Sequence, residues 1–101
     1  MNAALAGHEA ELVSLCRRFH VRRLELFGSA ATGHLKPDSD LDFIVVFGPV
    51  PRGTYADNFF DLREELEQLF GRPVDLIVST TIKNPYFRRS VERTKVLVYA
   101  G

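Results

Sequence analysis

Apolar positions repeat with two different periods along the chain, and the switches between those periods lay out its elements. Leu5, Leu12, Leu15 and Phe19 recur at helical spacing, with Glu9, Glu11, Arg17 and Arg18 elsewhere around the wheel. The spacing predicts an amphipathic helix from about Ala3 to Arg18. "RRLELF" then changes to a period of two, Arg23, Glu25 and Phe27 alternating with Arg22, Leu24 and Leu26, until Gly28 makes a tight turn possible. "LDFIVVF" is continuously apolar from Phe43 to Phe47 and rich in β-branched residues. That is the pattern of a central strand covered on both faces, closed here by Gly48, Pro49 and Pro51.

Helical spacing returns in "ADNFFDLREELEQLFG", with Phe59, Leu62, Leu66 and Leu69 on one face. Asp57 or Asn58 is the expected N-cap, and Gly71 suits the left-handed position after the helix. "PVDLIV" predicts a third strand opening at Pro73 and "KVLVY" a fourth, with a helix entered at Pro85 in "NPYFRRSVERT" between them. No repeat, low-complexity tract or linker breaks the order helix, strand, short helix or loop, strand, helix, strand, helix, strand. One α/β domain over residues 1–101 is therefore expected.

Composition narrows the functional classes. With 101 residues and 46% hydrophobic content, the chain can bury one real core but not two. Thirteen basic residues balance thirteen acidic ones, so no bulk field draws it to nucleic acid or an anionic membrane, and direct nucleic-acid binding is not expected. Any electrostatic function must come from local clustering. The opening "MNAALAGHEA" lacks the basic start and apolar centre of a signal peptide, and no apolar run approaches bilayer-spanning length. The expectation is a cytoplasmic protein with no membrane partner. A lone Cys16 offers neither an intramolecular disulfide nor a thiolate zinc cluster, and packing is its expected role.

One cluster stands out. Asp40 and Asp42, two apart at the mouth of the buried strand, share a face. Asp75 is a third acid, at the start of the mostly apolar "PVDLIV", where a truly buried and unpaired charge is costly. If the two strands are neighbours, the three carboxylates meet at one end of the sheet and raise one another's pKa values unless a cation binds. Hard oxygen ligands without nearby His or Cys suit Mg²⁺ or Mn²⁺. A dozen residues upstream, Gly28 permits close backbone approach, and Ser29 can donate its hydroxyl and N–H at the start of a helical turn. The pair can hold a nucleoside triphosphate, with Asp75 placed to take a proton from the attacking hydroxyl or to position it.

"FGSAATGHLKPDSDLDFIVVF" resembles the GS-x(n)-D-x-D signature of the DNA polymerase β nucleotidyltransferase superfamily. With "EELEQLFGRPVDLI" and "NPYFRRSVERTKVLVYAG", the likeness to the minimal nucleotidyltransferases covers nearly the whole chain. The resemblance implies a small mixed β-sheet flanked by helices. It also implies that Gly28 and Ser29 contact phosphate, that Asp40 and Asp42 ligate metal, and that Asp75 completes the triad. Such proteins often serve as antitoxins beside a HEPN-domain toxin. The likeness further implies transfer of AMP from ATP onto a partner hydroxyl, commonly a toxin tyrosine, within a homo- or hetero-oligomer. The alternative is a binding module of the same fold that neutralises its partner without chemistry. Many relatives carry Arg in a GS-x-A-R-G turn where this chain has Thr32, and Lys36, His34 and Arg52 are the candidates to replace that cation.

Competing motifs fail on their own terms. "GSAATGHL" has the glycine spacing of a P-loop, yet His34 and Leu35 stand where Lys and Ser or Thr belong. Asp38, Asp40 and Asp42 mimic the first ligands of an EF-hand, but Phe43 and Pro49 occupy its glycine and glutamate positions. Cys16 and His20 lack a third orienting group and are read as structural, and Asp38 as a turn residue after Pro37. The bland reading of Asp75 is a salt bridge with Arg72 or another base. Transfer to a small molecule lacks support, because no second domain builds an acceptor pocket.

Overall fold

The structure is a computed structural model that describes residues 5–34 and 36–101. Three helices, α1 (Glu9–Arg18), α2 (Tyr55–Phe70) and α3 (Pro85–Thr94), are interleaved with four strands. The strands are β1 (Val21–Phe27), β2 (Leu41–Phe47), β3 (Val74–Val78) and β4 (Val96–Ala100), and single 3-10 turns occupy Gly28–Ala30 and Ser79–Thr81. The sheet runs β3-β2-β1-β4. It is mixed, because β1 is antiparallel to both neighbours while β2 and β3, joined through α2, are parallel.

Alternation along the strands divides the side chains between two unequal faces. Leu24, Leu26, Leu41, Phe43, Val45, Val74 and Leu76 pack with Leu12, Leu15 and Cys16 of α1 and Leu62 and Leu66 of α2 in the main core. The opposite face carries a smaller cluster of Phe27, Ile44 and Val91, with Ile77 and Ile82 against it, under α3. β2 is thus covered on both faces through Val45, as its unbroken apolar run predicts, and is half-buried at Val46 and Phe47. Cys16 is fully buried, and burial pushes its thiol up to about 12, so it remains protonated and inert at neutral pH. His20, four residues on, is left-handed at φ 61°, and its carbonyl accepts from Gly48 N–H at 2.8 Å.

Two helix starts differ from the sequence expectation. α1 begins at Glu9, because Gly7 takes a left-handed φ of 86° and breaks the helical run. The predicted start at Ala3 lies outside the described residues, while Leu5, beyond the helix, still fills the core. For α2 the N-cap is Thr54 rather than Asp57 or Asn58. Asn58 lies one turn inside and donates its Nδ2 to the Phe19 carbonyl at 2.8 Å, tying α2 to the end of α1. Gly71 closes α2 in the left-handed conformation, at φ 66°, with its N–H on Glu67 O.

α3 is held lightly, with Val91 as its one buried residue. Its start relies on Asn84, whose Oδ1 accepts from Tyr86 N at 2.8 Å and Phe87 N at 3.3 Å. Asn84→Ala is expected to cost about 1 kcal/mol. Chemical denaturation checks this, and an unchanged midpoint would mean that the cap contributes nothing.

Candidate active site

The parallel register of β2 and β3 pairs Asp42 with Asp75. Both flanking residues of each acid point into the main core, so the two carboxylates emerge together on the α3 side of the sheet. Asp42 is half-buried and Asp75 exposed, while Asp40 lies exposed just before β2 begins. Desolvation by burial, then the charge of Asp75, then that of Asp40 push the Asp42 carboxyl above its ordinary value. Asp42 and Asp75 are therefore neighbours, and Asp40 is near enough to act on Asp42 through its field.

Among the described residues, no three His, Cys, Asp or Glu side chains come together as a group that could hold a metal ion, so the structure brings Asp42 and Asp75 together without Asp40 as a third ligand. An open pair of carboxylates with a third at the mouth fits Mg²⁺ better than a cage would. That ion is commonly held by one or two carboxylates, with water and substrate phosphates completing the shell. The all-oxygen donor set and the repulsion stored at Asp42 both suit a hard divalent ion.

Arg72 does not pair with Asp75, contrary to the bland expectation. Its Nη1 donates to the carbonyls of Ser39 at 2.9 Å and Lys36 at 3.1 Å, pinning the loop that leads into Asp40. Among the described residues no ion pair involves Asp75. The loop itself is a turn in which Ser39 N donates to Lys36 O at 3.0 Å and Lys36 N donates to Ser39 Oγ at 3.1 Å. Exposed Asp38 sits within that turn, as the sequence predicts.

Gly28 joins the other end of the motif to these acids. β1 ends where Phe27 pairs with Asp42, and Gly28 then adopts φ 73°. A Cβ at Gly28 would lie 2.6 Å from Asp42 Oδ2, so glycine is required both for backbone sign and for room. The 3-10 turn follows, with Gly28 O accepting from Ala31 N at 3.1 Å and Thr32 N at 3.3 Å. Ser29 is half-buried at its start, and among the described residues its hydroxyl has no hydrogen-bond partner. It is available to a ligand.

Thr32, where the resemblance leads one to expect arginine, donates its hydroxyl to Ser29 O at 3.2 Å and Gly28 O at 3.4 Å. It tightens the turn and brings no charge. Of the three candidate cations, the structure brings His34 to the turn, its Nδ1 3.0 Å from Thr32 Oγ1. Among the described residues, no contact places Lys36 Nζ or the Arg52 guanidinium there.

Two residues of this face escape the sequence reading. Thr94 accepts the Gly28 N–H at 3.3 Å across 66 positions. Glu25 is 7% exposed on β1 and lies 3.5 Å from both Arg23 Nη2 and Lys95 Nζ. Lys95 also meets Glu92 at 2.9 Å, and these carboxylates raise its pKa, the Glu92 hydrogen bond most. An open groove between α1 and α2, bridged by Arg18 and Glu65 at 3.3 Å, lies across the sheet from the carboxylates.

The raised Asp42 pKa has a signed consequence for stability. A group whose folded pKa exceeds its unfolded value stabilises below the unfolded pKa, and that contribution is lost as pH rises through the folded pKa. At neutral pH and without metal, an ionised Asp42 is therefore a liability to the fold. Asp42→Asn is expected to unfold at the same or a higher temperature than the natural chain at neutral pH, the gap closing towards acid. Thermal melts over a pH series with chelator present check this, and a lower neutral-pH melting temperature for the variant would contradict it.

A family model described as the nucleotidyltransferase domain matches residues 11–98, a span that includes both glycine turn and aspartates. The protein adenylyltransferase MntA of Thermococcus cleftensis is 37% identical over 84 residues, 83% of this chain and 79% of that protein. A solved structure described as that of a minimal nucleotidyltransferase superposes with a TM-score of 0.73 at 33% identity, covering 91% of this chain and 90% of the other. A complex of tri-AMPylated HEPN toxin with MNT antitoxin from Shewanella oneidensis shares the fold. Its TM-score is 0.62 at 17% identity over 93% of this chain and 71% of the matched chain.

Proposed function

We propose, from the premise that this chain belongs to the nucleotidyltransferase domain family, that it transfers AMP from ATP to a tyrosine hydroxyl of a HEPN-type toxin and so acts as an antitoxin. The observation that carries this reading is the direct approach of the Gly28 turn to Asp42, itself paired in register with Asp75. A phosphate-binding turn and a metal-binding acid pair then form one site within a single domain of residues 1–101.

In this account Ser29 donates its free hydroxyl to a phosphate oxygen, and Gly28 keeps the backbone close to the triphosphate. Asp42 and Asp75, with Asp40 at the mouth of β2, would hold Mg²⁺, with Mn²⁺ as a substitute. When bound, the ion neutralises charge on the triphosphate and on the leaving pyrophosphate. Asp75, the exposed member of the register pair, accepts the proton of the incoming hydroxyl. The hydroxyl oxygen bonds to the α-phosphorus, the bond from that phosphorus to the bridging oxygen breaks, and pyrophosphate departs. The relatives support the acceptor class: the Thermococcus protein is a protein adenylyltransferase, and the Shewanella complex pairs an AMPylated toxin with its antitoxin. No described helix is long and apolar enough to cross a membrane.

Removing divalent metal with EDTA is expected to abolish labelling of the partner by α-labelled ATP, and excess Mg²⁺ or Mn²⁺ to restore it. Labelling that persists in chelator would overturn the metal-dependent reading. Thr32 favours a second reading, in which weak phosphate grip leaves a binding module that neutralises by complex formation. Under that reading an Asp40→Asn/Asp42→Asn chain neutralises the toxin as well as the natural chain does.

A further inference from the structure

The Gly28 N–H does not point free into the site but donates to Thr94 Oγ1 at 3.3 Å. Thr94 ends α3, and its hydroxyl donates to Ser90 O at 3.3 Å within the same helix. With its one hydrogen used there, the oxygen presents a lone pair to the Gly28 amide. α3 is docked along β1 at successive points around this bond. Lys95 Nζ lies 3.5 Å from buried Glu25, and the Phe87 ring meets Phe27 edge-on with centroids 5.9 Å apart. Val91 packs beside Phe27 and Ile44.

Resting on the nucleotidyltransferase reading above, we propose that Thr94 is a positioning residue for the phosphate turn. Its hydroxyl fixes the Gly28 peptide in the left-handed conformation that brings the chain against Asp42 and aims Ser29 at the triphosphate. Without that acceptor the Gly28 N–H, half-buried, has no partner in the fold and the peptide is free to rotate away. Thr94 touches no reacting atom. It acts through Gly28, and the lightly held α3 carries it, so the order of the turn depends on the docking of a helix distant in sequence.

Thr94→Val preserves the side-chain shape and removes the hydroxyl, whereas Thr94→Ser keeps the hydroxyl. ATP affinity, measured by calorimetry on the chain alone with Mg²⁺, is expected to fall about 10-fold in Thr94→Val and to return to the natural value in Thr94→Ser. Hydrogen exchange at the Gly28 amide is expected to quicken in Thr94→Val and not in Thr94→Ser. Equal ATP affinity in the natural chain and Thr94→Val overturns the proposal, as does a Thr94→Ser chain as weak as Thr94→Val, because the hydroxyl would then not suffice to hold the turn. A natural chain that binds no ATP overturns the nucleotidyltransferase reading itself, a result distinct from either.

Discussion

Asp42→Asn is expected to reduce AMP transfer by at least about 10³-fold, roughly 4 kcal/mol of transition-state stabilisation, while the fold persists. Asparagine keeps the shape of the side chain but removes the charge that a divalent ion needs from the central member of the acid cluster. Asp42 is the residue on which the site converges: Asp75 pairs with it in register, Asp40 acts on it by charge, and Gly28 leaves room for its Oδ2. Asp75→Asn should lose a comparable amount for a different reason, because it removes the proposed proton acceptor as well as a ligand. Steady-state transfer rates with circular dichroism of each variant check this. A folded Asp42→Asn chain retaining a tenth or more of the natural rate would exclude Asp42 from the machinery.

Gly28→Ala is expected to damage both stability and transfer. Alanine at φ 73° carries backbone strain of about 1–3 kcal/mol. Its methyl group also falls 2.6 Å from Asp42 Oδ2, so the carboxylate or the turn must move. Misplacement of about 1 Å in a catalytic group costs on the order of 10²-fold in rate. Gly53→Ala separates the two effects, since Gly53 has a similar φ of 81° but open space where its Cβ would go. It should share the strain and keep the transfer rate. If Gly28→Ala and Gly53→Ala behaved alike in transfer, the contact with Asp42 would have no functional weight.

Much of this site is legible in the sequence because it is built from local signals. The unbroken "FIVVF" run marks β2 as central, and the spacing of Leu62, Leu66 and Gly71 marks α2 and its end. The GS turn and the D-x-D strand mouth are each short and contiguous. Register and distance are not local properties, and the sequence does not carry them. Asp42 and Asp75 lie 33 positions apart, and their pairing depends on how α2 returns the chain to the sheet. Thr94 gives no signal in "VERTKV", because its partner is the amide of a glycine 66 positions away in the sequence. Glu25 fits a plain strand alternation, and its burial follows only from the packing of α3 and Lys95 over it. Helix starts differ where a single residue decides. Gly7 breaks α1 early, and Thr54 displaces two better-known capping residues at α2.

Thr32 shows how a substitution changes a motif without erasing it. Arginine there would place a fixed cation beside the phosphates. Threonine instead spends its hydroxyl on the turn's own carbonyls and brings no charge. In the proposed site, neutralising the triphosphate would therefore fall more heavily on the metal ion than in a turn that carries arginine.

The central claim is transfer of AMP to a protein partner, and one experiment addresses it directly. The chain is incubated with α-labelled ATP, Mg²⁺ and the product of the neighbouring gene, and the label is followed to the partner, with an Asp40→Asn/Asp42→Asn chain in parallel. The account predicts label on a partner tyrosine, loss of the partner's toxicity in step with labelling, and neither with the double variant. An unlabelled partner whose toxicity is nonetheless neutralised, equally by both chains, would contradict it.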